Sequence, residues 1–172
     1  MTVHPAANAP VNLNTNSPAN PTTNSPANPA ANHTTNPAAR TQLLLASLAG
    51  FTGVLAGTFA AHLLKGRLPP ESLATFEVGV RYHLLHAVAM LALAMFTIMD
   101  GHQRPARSAI GFACAGWLFF AGIMVFSGSL YALAITDEKR LGMITPLGGA
   151  LFLLGWLTIA VSAWRSRKPT AH

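Results

Sequence analysis

Four long runs of apolar residues, separated by short charged segments, dominate the chain after its first forty residues. The runs that contain no Lys, Arg, Asp or Glu are 24, 18, 29 and 24 residues long. A helix of about 20 residues crosses a hydrocarbon core about 30 Å thick. Backbone polar groups in lipid must bond within the protein, and the lack of period-two alternation argues against a β-barrel. The pattern predicts an all-α fold, an integral membrane four-helix bundle with spans at approximately 41–64, 82–99, 109–135 and 142–164.

The residues before the second run carry a different pattern. Between Pro70 and Val80 the apolar side chains fall on one helical face, and Glu77 and Arg81 are four residues apart, a favourable spacing on a helix. We therefore predict an interfacial helical stretch that continues into the second span, with a bend at Gly79.

The first forty residues differ sharply from the rest. All nine asparagines and seven of the twelve prolines lie here, and residues 1–39 contain no Lys, Arg, Asp or Glu. Such a segment buries too little apolar surface to offset its ordering entropy. We predict a disordered Asn/Pro/Ala/Thr-rich tail over 1–40 and a transmembrane domain over 41–172.

Composition and charge exclude several classes of protein. Only 9% of the 172 residues are charged and 51% are hydrophobic, too little polar surface for a soluble domain. The net charge of +6 is too sparse to form a nucleic-acid-binding face, and the single cysteine excludes an internal disulfide and a Cys-based zinc site. Six Lys and Arg flank the side of the termini and five flank the opposite side, which predicts cytoplasmic termini by one charge.

Small residues recur at the spacing of one helical turn, a pattern that lets helix backbones approach closely in lipid. It predicts helix packing within this bundle, with a dimer face as the alternative. We expect seven positions to serve helix packing: Gly50, Gly53, Gly57, Gly111, Ala115, Gly148 and Gly149.

Uncharged polar residues are concentrated near one membrane boundary. The first span ends, the second begins, the third ends and the fourth begins on the same side, and each brings polar side chains to within about 14 Å of that boundary. The other half of the bundle is almost purely apolar. The predicted polar layer, whose role the sequence leaves open, comprises His62, Tyr82, His83, His86, Ser127, Ser129, Tyr131 and Thr145.

Several chemistries fit this layer. His62, His83 and His86 form a three-imidazole set suited to zinc or copper, or two histidines ligate haem, or the layer relays protons. The alternative is that these groups satisfy each other and nearby carbonyls. We find no nucleophile elbow, phosphate loop or HExxH helix, and therefore expect no catalytic residues.

Four blocks of residues carry a family resemblance over roughly 43–164. They are Gly57–His62, Tyr82–His86, Phe126–Tyr131 and Thr145–Gly149, followed by Phe152, Gly155 and Trp156. The chain resembles domain-of-unknown-function family 423, small inner-membrane proteins of the YgdD type with a eukaryotic relative called transmembrane protein 256. The resemblance implies a multi-pass inner-membrane location and no established reaction or cofactor. That family usually has glutamine at the position of His83, so a three-histidine site would not be a family property.

We favour the hypothesis of a non-enzymatic accessory or scaffold subunit that sits in the lipid bilayer and packs against other membrane-protein subunits or itself, without nucleic acid. One alternative is permeation of a small solute or protons through the polar layer. Another is a haem, metal or quinone site, in which His62 and His86 would be the ligands of haem or metal.

Overall fold

The computed structural model describes Met1 and residues 37–99 and 106–165, and these residues form helices and turns without a strand. The predicted tail lies outside the described residues up to Asn36. The helices, in chain order, are α1 (Pro37–Phe59), a π-helical turn (Ala60–Leu64), α2 (Pro70–Met99), α3 (Ala106–Gly122), a second π-helical turn (Ile123–Ser127), α4 (Gly128–Thr136), a 3₁₀ turn (Lys139–Met143) and α5 (Thr145–Arg165).

Four of the described segments are long and apolar enough to cross a membrane, which confirms the predicted all-α membrane fold. The first to fourth spans are Pro37–Leu64, Pro70–Met99, Ile110–Thr136 and Lys139–Arg165. The first and second end where the sequence predicts, because Lys65 follows Leu64 and Asp100 follows Met99.

Two starting points differ from the prediction. Residues 37–40, assigned to the tail, belong to α1, since Pro37 fits the first position of a helix and Ala38 and Ala39 favour helix. In α2, helical hydrogen bonding continues from Pro70 without a break at Gly79. The bend at Gly79 stays a prediction. The missing side chain at Gly79 also makes room for Tyr131, since a Cβ there would lie 2.8 Å from its Cε1.

Two antiparallel helix pairs build the bundle. In the first, Gly53 of α1 faces Leu84 of α2 and Gly57 faces Val80, so facing residue numbers sum to 137. In the second, Gly111 of α3 faces Ser162 of α5. α2 also packs against α3 and α4 at the centre, which places α1 and α5 on the outside. We call the end with the connections 65–69 and 137–144 the polar end, and the opposite one the terminal end.

The core combines small residues with large rings. Ala46, Ala49, Ala87 and Ala115 are buried beside Phe112, Phe119, Phe152 and Met90 in one cluster. A second cluster, at the polar end, joins Ala60, Leu64, Phe76 and Ala134. Alanines leave room for the rings, so the helices make extensive van der Waals contact, which is the main attraction between helices in lipid.

Five of the seven predicted packing residues lie against another helix: Gly53, Gly57, Gly111, Ala115 and Gly148. A Cβ built at Gly149 would make only an ordinary contact, 3.9 Å from the Phe126 ring. Gly50 does not fit the prediction, because no atom lies within 4 Å of a Cβ built there; this side of α1 faces away from the bundle.

The spacing pattern misses two glycines that accept aromatic rings between α3 and α5. A Cβ at Gly122 would lie 2.5 Å from the Phe152 ring, and a Cβ at Gly155 would lie 2.5 Å from the Phe119 ring. Each glycine packs against a ring on the other helix. Recognising it from the sequence would therefore require pairing a glycine of one helix with a ring of the other, which spacing within one helix does not reveal.

Replacing Gly148 by alanine tests the close approach of α5 to the second π-helical turn. The added Cβ would overlap the backbone of Phe126, which cannot rotate away as a side chain does. We expect Gly148→Ala to lower the free energy of unfolding by about 1–3 kcal/mol, measured by thermal unfolding in detergent.

Gly50→Ala is the matched control, because its Cβ meets open space. Alanine is the better helix former, so this variant should be neutral or more stable by up to about 1 kcal/mol. Equal destabilisation by the two substitutions would contradict the packing of Gly148 against Phe126.

Candidate functional site

Polar side chains form three separate hydrogen-bonded groups between the middle of the spans and the polar end. His83 and His86 lie 13 and 16 residues after Pro70, near the middle of the second span and deeper than the sequence predicts. Four of the predicted layer residues are buried: His83, His86, Ser127 and Ser129. Tyr131 and Thr145 are half-buried, and the Tyr82 side chain is exposed. His83 and His86 are three residues apart on one face of α2, and their ring nitrogens bond to different neighbouring helices.

The first group joins α1, α2 and α4 through His83. Its Nδ1 lies 3.2 Å from the hydroxyl oxygen of Tyr131, and its Nε2 lies 3.4 Å from Oγ1 of Thr52. The Thr52 hydroxyl donates to the carbonyl of Leu48 at 2.9 Å, so it accepts from His83. In the neutral tautomer with its proton on Nε2, Nδ1 accepts from the Tyr131 hydroxyl, so both nitrogens are engaged.

The second group joins α2 and α5 through His86. Nδ1 donates to the carbonyl of Tyr82 at 2.9 Å, and Nε2 accepts from the indole N–H of Trp156 at 3.3 Å. The ring stacks on Phe152 with centroids 3.6 Å apart and meets the edge of Phe119 at 5.1 Å. This imidazole is also neutral, and aromatic rings enclose it.

The third group joins α4 and α5. The Ser129 hydroxyl donates to the carbonyl of Phe126 at 2.9 Å and accepts from the Thr145 hydroxyl at 2.9 Å. Ser127, two residues earlier, ends the second π-helical turn and is fully buried. Within the described part of the chain, its Oγ is the buried side-chain oxygen without a hydrogen-bond partner, an arrangement that costs about 1–3 kcal/mol.

His62 does not join the layer, contrary to the prediction. The first π-helical turn directs Ala60 and Leu64 into the core and leaves His62 exposed. Among the described residues, no three His, Cys, Asp or Glu side chains are placed to hold a metal ion, so the three-imidazole set does not form. Ligation of haem or metal by His86 would require breaking its bond to Tyr82 or to Trp156.

Three residues that make polar contacts between helices are not predicted from the sequence. Thr52 is not distinguishable there from other residues of apolar spans, and Trp156 carries the family resemblance without a predicted polar role. Gln42 lies near the terminal end, in the half predicted to be almost purely apolar, yet it is buried and its Nε2 donates to the carbonyl of Ala113 at 2.7 Å. Gly116 leaves room for it, since a Cβ there would lie 2.8 Å from Nε2.

The chemistry available to these groups is limited. Most of the bonds link different helices. The hydrogen-bond partners of both imidazoles among the described residues are hydroxyl, carbonyl and indole groups, with no carboxylate. A histidine acting as a general base needs a free nitrogen facing a substrate. In the described residues these bonds connect helices and engage both nitrogens of each imidazole.

Comparison with known proteins places this chain among bacterial membrane proteins. The family described as "Protein of unknown function (DUF423)" matches residues 56–149. The chain is 40% identical over 122 residues to the UPF0382 membrane protein YwdK of Bacillus subtilis, covering 70% of this chain and 94% of that protein. It is 39% identical over 126 residues to a UPF0382 membrane protein of Haemophilus influenzae, covering 73% and 95%. No solved structure matches the chain significantly.

Removing the indole donor tests the bond between the two helix pairs. Trp156→Phe keeps an aromatic ring but leaves Nε2 of His86 without its donor, so we expect a loss of about 1–3 kcal/mol in unfolding free energy. Thermal unfolding followed by circular dichroism measures the loss. Trp164→Phe, at a site 80% exposed, is the control and should change nothing. Equal shifts in the two variants would contradict the bond.

Replacing His83 tests the first hydrogen-bonded group. Glutamine carries both a donor and an acceptor, so His83→Gln should retain most of the stability, whereas His83→Leu leaves the Tyr131 hydroxyl unpaired and should lose about 1–3 kcal/mol. Adding Tyr131→Phe to His83→Leu removes the unpaired hydroxyl and should restore part of that loss. The same unfolding assay decides, and equal stability of the Gln and Leu variants would overturn the assignment.

Proposed function

The chain belongs to the family "Protein of unknown function (DUF423)", and on this premise we propose that it is a non-enzymatic accessory or scaffold subunit of the membrane. It is a multi-pass membrane protein, and its four apolar spans and bacterial relatives are consistent with the inner membrane. In the proposed role it packs laterally against other membrane-protein subunits.

The observation that carries this proposal is the engagement of both buried imidazoles. His83 and His86 are the most reactive side chains inside the bundle, and each uses both ring nitrogens in hydrogen bonds within the protein. In lipid, polar side chains commonly hold helices together. A rigid bundle of this kind suits a packing role better than a chemical one.

α1 supplies a surface suited to lateral packing. It lies at the outside of the bundle, and at Gly50 the described residues leave open space where a Cβ would stand. Ser47 and Val54 on the same helix are exposed as well. A small residue on an outward face allows the backbone of another helix to come close.

The permeation alternative requires a continuous polar path. The three hydrogen-bonded groups are instead separate, and Phe152 and Phe119 enclose His86 on the side of α3 and α5. Flux across proteoliposomes that is abolished by His86→Ala would support that alternative against the scaffold proposal.

Purification in mild detergent followed by mass spectrometry tests the scaffold proposal. We expect a reproducible membrane-protein partner in near-stoichiometric amount. Gly50→Leu should reduce recovery of the partner about tenfold. It should leave thermal unfolding unchanged, because no atom of the described residues lies within 4 Å of a Cβ at this position.

Ala92→Leu, on an exposed position of α2, is the matched control and should keep the partner. A wild-type protein that is always recovered as a lone monomer would contradict the proposal. Equal recovery with Gly50→Leu would place the contact on another face.

A further inference from the structure

A groove of about 270 Å³ opens between the first span and α2 at the polar end. Small residues of the first span form one wall, and α2 forms the other with two charged side chains. The six lining residues are Gly57, Ala60, Ala61, Glu77, Val80 and Arg81. On each helix the three positions follow the i, i+3, i+4 spacing of one face, so the groove runs along the helix pair.

The wall contributed by the first span is held firmly. Ala60 is buried in the polar-end cluster with Leu64, Phe76 and Ala134. Ala60 and Ala61 belong to the first π-helical turn, a feature that is frequent at functional sites. The groove is therefore part of the packed structure and not a gap between mobile side chains.

The two charged residues of the groove have no partner within the described part of the chain. Glu77 and Arg81 are four residues apart, which permits an ion pair on a helix, and both are exposed. The ion pair that the described residues contain is instead between Arg140 and Glu138, 3.9 Å apart in the other connection of this end. Glu77 and Arg81 are thus free to meet an occupant that carries both signs of charge.

The depth of these charges is unusual. The numbers of facing residues in the first span and α2 sum to about 137. Glu77 therefore lies level with Ala60, and Arg81 lies level with Ala56. At 1.5 Å per residue these levels are about 7 Å and about 13 Å inside Lys65, the first charge after the span. Spans of 28 and 30 residues extend through the headgroup layer, so Glu77 lies near the level where headgroups meet acyl chains. Arg81 starts deeper, and its long side chain can extend its charge towards that level.

The order of the charges selects the occupant. In a phospholipid the phosphate is joined to glycerol and lies deeper, whereas the amine of an ethanolamine headgroup lies nearer the water. Arg81 is the deeper residue and matches the phosphate, which guanidinium binds with two hydrogen bonds. Glu77 is nearer the water and matches a primary ammonium; side chains four apart on a helix are about 5–6 Å apart at Cβ, comparable with the two-carbon bridge of ethanolamine.

We propose that this groove binds the headgroup of phosphatidylethanolamine, with Arg81 on the phosphate and Glu77 on the ammonium group. The acyl chains then continue along the apolar surface of the first span. The choline group of phosphatidylcholine has no N–H to donate to the Glu77 carboxylate. The glycerol headgroup of phosphatidylglycerol has no positive charge to pair with Glu77. The proposal does not depend on any protein partner.

Native mass spectrometry of the full-length protein tests the site. The protein is purified in detergent, incubated with equimolar phosphatidylethanolamine, phosphatidylcholine and phosphatidylglycerol of identical acyl chains, and the lipid retained is identified. We expect one phosphatidylethanolamine to be retained preferentially. Arg81→Gln should lower its retention about tenfold or more, the usual effect of losing a charge-assisted bond, and Glu77→Gln should abolish the preference over phosphatidylcholine.

Two further variants separate binding from folding. Ala61→Leu fills the groove at an exposed position and should abolish retention with unchanged thermal unfolding. Glu138→Gln with Arg140→Gln removes the charged pair of the other connection and should leave retention unchanged. Equal retention of the three lipids, preference for phosphatidylglycerol, or a preference that survives both Glu77→Gln and Arg81→Gln would overturn the proposal.

Discussion

Hydrocarbon offers no hydrogen bonds, and this constraint governs every polar residue between the membrane boundaries. Gln42 near the terminal end, His83 and His86 near the middle of the spans and Ser129 nearer the polar end are all buried, and each finds its partner within the protein. Their partners lie mainly on other helices, so the requirement for hydrogen bonding also fixes which helices are neighbours. Ser127 is the exception among the described buried oxygens.

Packing of small residues against rings is the second determinant of the fold. Gly122 and Gly155 receive Phe152 and Phe119, and the buried alanines of the core lie beside the same rings. The interior thus has few ways to rearrange, because a ring that leaves its glycine would leave an empty space in the core. The enclosed position of His86 results from this packing, since Phe152 and Phe119 are also its nearest rings.

The sequence predicts the features that depend on membrane thickness and topology, and it misses those that depend on pairs of residues. The four spans are predicted by run length alone. The shared side of the polar residues is expected because successive spans cross the membrane in opposite directions. The sequence does not predict that the His62 side chain is directed away from His83 and His86. His62 lies in a π-helical turn, which changes the direction of its side chains, and no residue pattern in the chain predicts such a turn. Trp156 and Gln42 are missed because their roles depend on His86 and Ala113, which are 70 and 71 residues away along the chain.

These two long-range bonds have a consequence for the order in which the protein is assembled. Each helix pair comes from consecutive spans: α1 pairs with α2, and α3 pairs with α5. Each pair can therefore insert into the membrane as a hairpin during synthesis. Gln42 with Ala113 and His86 with Trp156 bridge the two hairpins, one near the terminal end and one near the middle of the spans. The bond to Trp156 can close only after the last span has entered the bilayer. A nascent chain that stops before α5 therefore leaves Nε2 of His86 without its donor, which distinguishes an incomplete protein from a finished one.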